Sequence, residues 1–233
     1  MVSIRIILLT IAVSAALIAG LVVLLDGERS DGSDQLRTDA EESFAGPLTP
    51  EEQRIANPTV SNTMNPHARI TTNKGVITLE LFTDTMPITT GNFITLAESG
   101  FYDNTKFHRV IEGFMIQGGD PNSKGTNEAL YGRGGPDSTV QDEFVEGELL
   151  TNTRGTIAMA NTGQPNSGGS QFFINLVDNT GLDFNKEPLS SKHPVFGRVI
   201  EGMDVIDAIG QVETKAGDIP AEPIVLEKVE IVR

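Results

Sequence analysis

ARITTNKGVITLELF, residues 68–82, is the stretch from which the fold is read. Ile77, Leu79 and Leu81 alternate with Thr78 and Glu80, the period of two that a strand with one buried face requires. Lys74-Gly75 interrupts the run, so the segment predicts a hairpin of strands over 68–73 and 76–82. Downstream, Pro87 opens a helical segment in which Phe93, Leu96 and Ala97 share a face, and Gly100 stands where a left-handed residue closes a helix. Further apolar runs at 107–111, 114–117, 156–161, 171–176, 195–200 and 224–232 read as strands. A second short helix over 203–209, with Gly210 after it, separates the last two. Short strands, two helices and glycine-rich connections predict a mainly β fold, a closed antiparallel barrel capped by helices, because closure removes exposed edges.

Upstream the character changes. IILLTIAVSAALIAGLVVLL, residues 6–25, contains no charge, and a helix of that length spans about 30 Å of hydrocarbon. Residues 1–25 therefore read as a membrane anchor or signal segment. The run exceeds the roughly 7–15 apolar residues of a cleavable signal, and Leu25 and Gly27 make a poor cleavage pair, so a retained anchor is favoured. The expected location is membrane-anchored with the domain outside the cytoplasm, or exported if the segment is cleaved. Residues 26–66 hold nine acidic residues and three arginines together with Gly, Ser and Pro, and read as an acidic flexible tether with one brief helix start at Thr49-Pro50-Glu51-Glu52. Residues 67–233 form the single domain that a chain of 233 residues allows beside such an extension.

Composition excludes several function classes. A net charge of −15 argues against nucleic-acid binding, which needs clustered Lys and Arg. The absence of cysteine removes disulfides, thiolate metal sites and a cysteine nucleophile. His67, His108 and His193 lack the spacing of a helix-borne metal site. Ser170 in GGSQFF precedes a strand, the wrong context for a hydrolase nucleophile, and Gly132-Arg133-Gly134-Gly135 has neither strand nor helix to make a phosphate cradle.

FHRVIEGFMIQGGD, residues 107–120, places Arg109 and Gln117 beside Phe114 and Met115 in strand-like runs. Pattern alone leaves a structural ion pair as the commoner fate of such an arginine. With GTIAMANTGQPNSGGSQFFI at 155–174 and HPVFGRVIEGMDVI at 193–206, however, the segment resembles the signature set of the cyclophilins, collinearly over about 68–232. The resemblance implies an eight-stranded barrel closed by two helices, with a proline-binding groove and peptidyl-prolyl cis/trans isomerase activity on protein clients. It assigns Arg109 as the catalytic guanidinium, and Phe114, Met115, Phe173 and Leu182 to the proline ring. It gives Gln117 and Gln171 amide contacts, sets Ala160, Asn161 and Thr162 along the peptide backbone, and puts His193 at the pocket rim. Phe172, one step along the strand, is expected to face inward. No metal or cofactor is implied, and the partners are proline-containing polypeptides bound by a monomeric domain. The alternative is a proline-peptide binding module with little catalysis. Two positions depart from the family pattern: Thr162, where alanine is frequent, and Gly181, where relatives often carry an aromatic, commonly Trp, that helps bind the cyclic peptide inhibitor cyclosporin.

Overall fold

The computed structural model describes residues 65–187 and 191–233. The first hairpin forms as its alternation requires: Ala68 and Ile70 of β1 (His67–Thr72) and Ile77, Leu79 and Leu81 of β2 (Gly75–Leu81) are fully buried on one face. Thr72 lies opposite Gly75, so the loop is Asn73-Lys74, one residue earlier than the expected turn. Glycine is required at 75, where φ is +142° and a Cβ would stand 2.7 Å from Val205.

The remaining strands are β3 (Thr105–Lys106), β4 (Arg109–Ile111), β5 (Met115–Gly118), β6 (Thr156–Met159), β7 (Phe172–Asn175), β8 (Val195–Glu201), β9 (Thr214–Lys215), β10 (Ile219–Pro220) and β11 (Val225–Val232). β9 and β10 pair with each other, a hairpin with no counterpart in the sequence reading. The other nine form one antiparallel sheet in the order β3-β11-β1-β2-β8-β6-β7-β5-β4. This corrects the expected closed eight-stranded barrel. The strand read over 107–111 is confined to β4, and β3 at 105–106 is a separate short strand before it: between them the Phe107 N–H donates to Ile224 O at 3.0 Å, and the next residue, His108, donates to Gln117 O at 3.0 Å. Eight expected strands thus appear as nine, and the edge strands β3 and β4 are joined by two residues of chain rather than by a ladder of hydrogen bonds.

Among the described residues two α-helices accompany the sheet. α1 (Pro87–Glu98) starts on proline, and Gly100 beyond its end has φ +71°. Its N-cap residue, Met86, supplies no side-chain acceptor, and the N–H groups of Ile88 and Thr89 donate instead to Glu143 Oε1 and Oε2 at 3.1 and 2.9 Å. α2 (Met203–Gly210) includes Gly210 rather than ending before it; a Cβ there would meet Leu176 at 2.8 Å, so the residue is small for packing. Phe93 of α1 packs against Tyr102, Phe172 and Phe196 in tilted and edge-on contacts at centroid distances of 5.1, 5.6 and 5.4 Å. Phe172 therefore faces inward, and strand geometry sends Phe173 to the opposite side.

The anchor or signal reading of residues 1–25, the tether as far as residue 64 and the helix start at Thr49 lie outside the described residues. Asn65 and Pro66 are fastened to β2: Asn65 Nδ2 donates to Glu80 Oε1, and Leu81 N donates to Pro66 O, both at 3.0 Å. Among the described residues no helix is long and apolar enough to cross a membrane.

Candidate active site

Strand register gathers the site. β4 and β5 set Arg109 opposite Gln117 and Ile111 opposite Met115, and β5 against β7 sets Gln117 opposite Phe173. Because side chains alternate, these positions fall on one side of the sheet while Phe172 and Ile174 fill the other. The result is a cavity of about 260 Å³ lined by Arg109, Phe114, Met115, Gln117, Ala160, Asn161, Phe173, Leu182 and His193. Thr162 and Gln171, expected in the same groove, line a neighbouring cleft of about 270 Å³ that shares Gln117, Ala160 and Asn161 with it.

The polar groups are held in a definite order. Gln117 Nε2 donates to Gln171 Oε1 at 3.0 Å, and Gln171 Nε2 donates to Gly134 O at 2.8 Å, so one amide braces the other against the glycine-rich loop. Asn161 uses its whole side chain on the walls: Nδ2 donates to Lys192 O at 2.7 Å and Oδ1 accepts from Gly163 N at 3.0 Å. Its main-chain N–H and C=O have no hydrogen-bond partner among the described residues. His193 packs edge-on against Phe173 with ring centroids 5.3 Å apart, and its Nδ1 is 3.0 Å from Met159 O. A carbonyl can only accept, so Nδ1 carries the proton and Nε2 is the lone-pair nitrogen. Burial holds this imidazole below the ordinary histidine range, offset in part by the Met159 carbonyl, so the ring is neutral at pH 7.

The rim rests on residues the sequence reading did not single out. Leu182 ends a 3₁₀ turn (Thr180–Leu182), and its carbonyl accepts from His193 N at 3.1 Å. Beneath it Asn152 Nδ2 donates to Asp183 Oδ1 at 2.9 Å and to His193 O at 3.0 Å, while Asn179 Nδ2 donates to Phe114 O at 2.9 Å. Asn175 Nδ2 closes the network on Asn152 Oδ1 at 3.1 Å. Buried side-chain amides paired in this way fix the loops carrying Phe114, Leu182 and His193. Asp218 was also missed; its carboxylate accepts from Arg109 Nε at 3.2 Å. The one local signal for it was the turn-forming pair Gly217-Asp218. No cluster of three His, Asp or Glu able to hold a metal occurs among the described residues.

Residues 67–231 match the family described as "Cyclophilin type peptidyl-prolyl cis-trans isomerase/CLD". Curated relatives include peptidyl-prolyl cis-trans isomerase-like 1 of Neurospora crassa, 45% identical over 165 residues covering 70% of this chain and 93% of that one. Peptidyl-prolyl cis-trans isomerase B of Escherichia coli is 44% identical over 169 residues, covering 69% and 96%. Among solved structures, a Cryptosporidium parvum cyclophilin type peptidyl-prolyl cis-trans isomerase crystallised in the presence of the dipeptide Ala-Pro superposes with a TM-score of 0.60 at 31% identity, covering 72% of this chain and 98% of that one.

Proposed function

The chain belongs to the cyclophilin-type peptidyl-prolyl cis-trans isomerases, and we propose that it rotates X-Pro bonds in the Arg109 cavity, with Arg109 as the catalytic guanidinium. The task needs no nucleophile, metal or cofactor. It needs loss of amide resonance against a barrier of about 20 kcal/mol, which spontaneously takes tens to hundreds of seconds. At the twisted transition state the prolyl nitrogen pyramidalises and regains its lone pair. A donor aimed at that lone pair favours the transition state over the planar ground state.

One observation carries the reading: a guanidinium whose terminal nitrogens have no partner among the described residues borders a pocket walled by Phe114, Met115, Phe173 and Leu182. At about 260 Å³ the cavity falls below the range of roughly 300–1,000 Å³ that takes drug-sized ligands, which suits one small ring. A charge-assisted hydrogen bond contributes about 1.5–3 kcal/mol, whereas a 10⁵-fold acceleration needs roughly 7 kcal/mol. Arg109 therefore shares the work. The apolar walls seat the ring and lower local polarity, the main chain of Ala160 and Asn161 aligns the flanking peptide, and braced Gln117 and neutral His193 bound its path. Thr162 and Gln171 belong to the adjoining cleft, where residues flanking the proline would lie, so the substrate class is an extended proline-containing polypeptide, in line with the relative crystallised in the presence of Ala-Pro.

The same reading divides the chain into a membrane anchor or export signal at 1–25, an acidic tether at 26–66 and the isomerase domain at 67–233. It places that domain outside the cytoplasm. The support is the uncharged run at 6–25 and the acidic stretch after it.

The decisive experiment is cis/trans exchange on a short X-Pro peptide by the full chain and its Arg109→Ala variant. The expected result is a fall in kcat/KM of at least about tenfold, or about 1.4 kcal/mol, with the fold retained. A folded Arg109→Ala protein with undiminished activity overturns the assignment.

A further inference from the structure

The β9–β10 hairpin reaches Arg109 by two routes. Asp218 lies in its three-residue loop, where Gly217 and Asp218 have φ +84° and +60° and Asp218 N donates to Lys215 O at 3.1 Å. From there the Asp218 main-chain carbonyl accepts from Val110 N at 2.8 Å, and its carboxylate accepts from Arg109 Nε at 3.2 Å. One residue thus grips β4 by its backbone and the neighbouring guanidinium by its side chain. A second tie holds the hairpin, an ion pair of Lys215 Nζ with Glu128 Oε1 at 2.6 Å.

We propose that Asp218 is a positioning residue for catalysis, orienting the Arg109 guanidinium toward the proline pocket. The inference rests on the catalytic reading of Arg109 given above. A guanidinium offers five N–H donors in one rigid plane, so engaging Nε fixes the direction of the two terminal nitrogens. No other hydrogen bond to this side chain occurs among the described residues, and without Asp218 it would rotate freely about its long stem. Stability is not the function of the contact. The two side chains are 43% and 45% exposed, and ion pairs that open to water contribute little to folding. What such a pair does supply is orientation, and a donor that must meet a lone pair forming only in the transition state is sensitive to orientation. The carboxylate also carries a cost, since its charge weakens the positive field of Arg109. A bond through Nε, away from the terminal donors, limits that loss.

The left-handed backbone at 218 decides which variants are informative. Glycine and asparagine accept φ near +60°, whereas alanine there is strained. Asp218→Gly removes the carboxylate but leaves the carbonyl on Val110, and Asp218→Asn keeps an acceptor for Nε without the charge. In the full chain, Asp218→Gly is expected to lower kcat on a short X-Pro peptide about three- to tenfold, with KM and the unfolding midpoint little changed. Asp218→Asn should restore most of that loss, and Asp218→Gly should have no further effect in an Arg109→Ala background. Wild-type kcat in Asp218→Gly, no rescue by Asn, or an equal loss in the Arg109→Ala background each overturns the proposal. The two readings fail separately. If Arg109→Ala is fully active, the catalytic assignment fails; if Arg109→Ala is impaired while Asp218→Gly is not, only the positioning role fails.

Discussion

At Gly181 a Cβ would meet no atom of the described residues within 4 Å, so the position has room for a side chain. The resemblance to cyclophilins implies that an aromatic here would help bind cyclosporin, by covering apolar surface and, as Trp, by donating an indole N–H. Glycine can do neither, whereas the proposed proline pocket is walled by Phe114, Met115, Phe173 and Leu182 without it. The expected outcome is weak cyclosporin binding by the natural chain, tightened by about 1–3 kcal/mol in Gly181→Trp with little gain in peptide turnover. Inhibitor titration of both proteins measures this. Tight binding by the natural chain, or no tightening in the variant, would show that another side chain covers the groove. At this scale the candidate site was legible through the family resemblance, and strand parity added only that Phe172 and Phe173 face opposite sides of the sheet. The side-chain bonds of Asn161 were not legible, because Lys192 O and Gly163 N become its partners only after the chain has folded.

Among the elements, α1 depends on a group far from it in sequence. Met86 caps nothing, and the first turn of α1 contains no acidic residue, so the carboxylate of Glu143 alone meets both the free N–H groups of Ile88 and Thr89 and the positive end of the helix. Glu143→Ala should therefore destabilise the protein by about 1 kcal/mol, and Glu143→Gln by less, since one acceptor survives. Chemical denaturation of the three proteins tests the order; equal stability in all of them would mean that water caps the helix as well as Glu143 does. Nothing in the sequence pairs Glu143 with residues 88 and 89, for capping rules look a few residues ahead and not across the fold. The strands were easier to read. Ile77, Leu79 and Leu81 announce β2 by period, but Phe107 and His108 sit within one apolar run and give no sign that the hydrogen-bond partner changes between them. The β9–β10 hairpin escaped for a different reason: with two residues per strand and β9 exposed on both, it has no periodicity to detect.

For the molecule as a whole, the sequence separates an uncharged segment and an acidic stretch from the cyclophilin-type domain, and the proposed location rests on the first of these. The full chain should fractionate with membranes, and deletion of residues 1–25 should release an active, unanchored protein. Detection of a mature form beginning near Leu17 or beyond, free of membranes, would instead identify a cleaved signal. Protease accessibility in intact cells reports the side on which the domain lies. If the domain is exported as proposed above, the sheet order bears on its passage. β1 lies between β2 and β11, with His67 opposite Glu80 on one side and Val232 on the other, so the first strand of the domain waits for the last. Long-range pairing of this kind is slow, because the chain entropy of loop closure is lost before the contacts form. A polypeptide threaded N-terminus first through a translocation channel would enter it with β1 lacking this partner. The segment that engages the channel would then pass as an unfolded strand, and no prematurely closed sheet would plug the pore behind it.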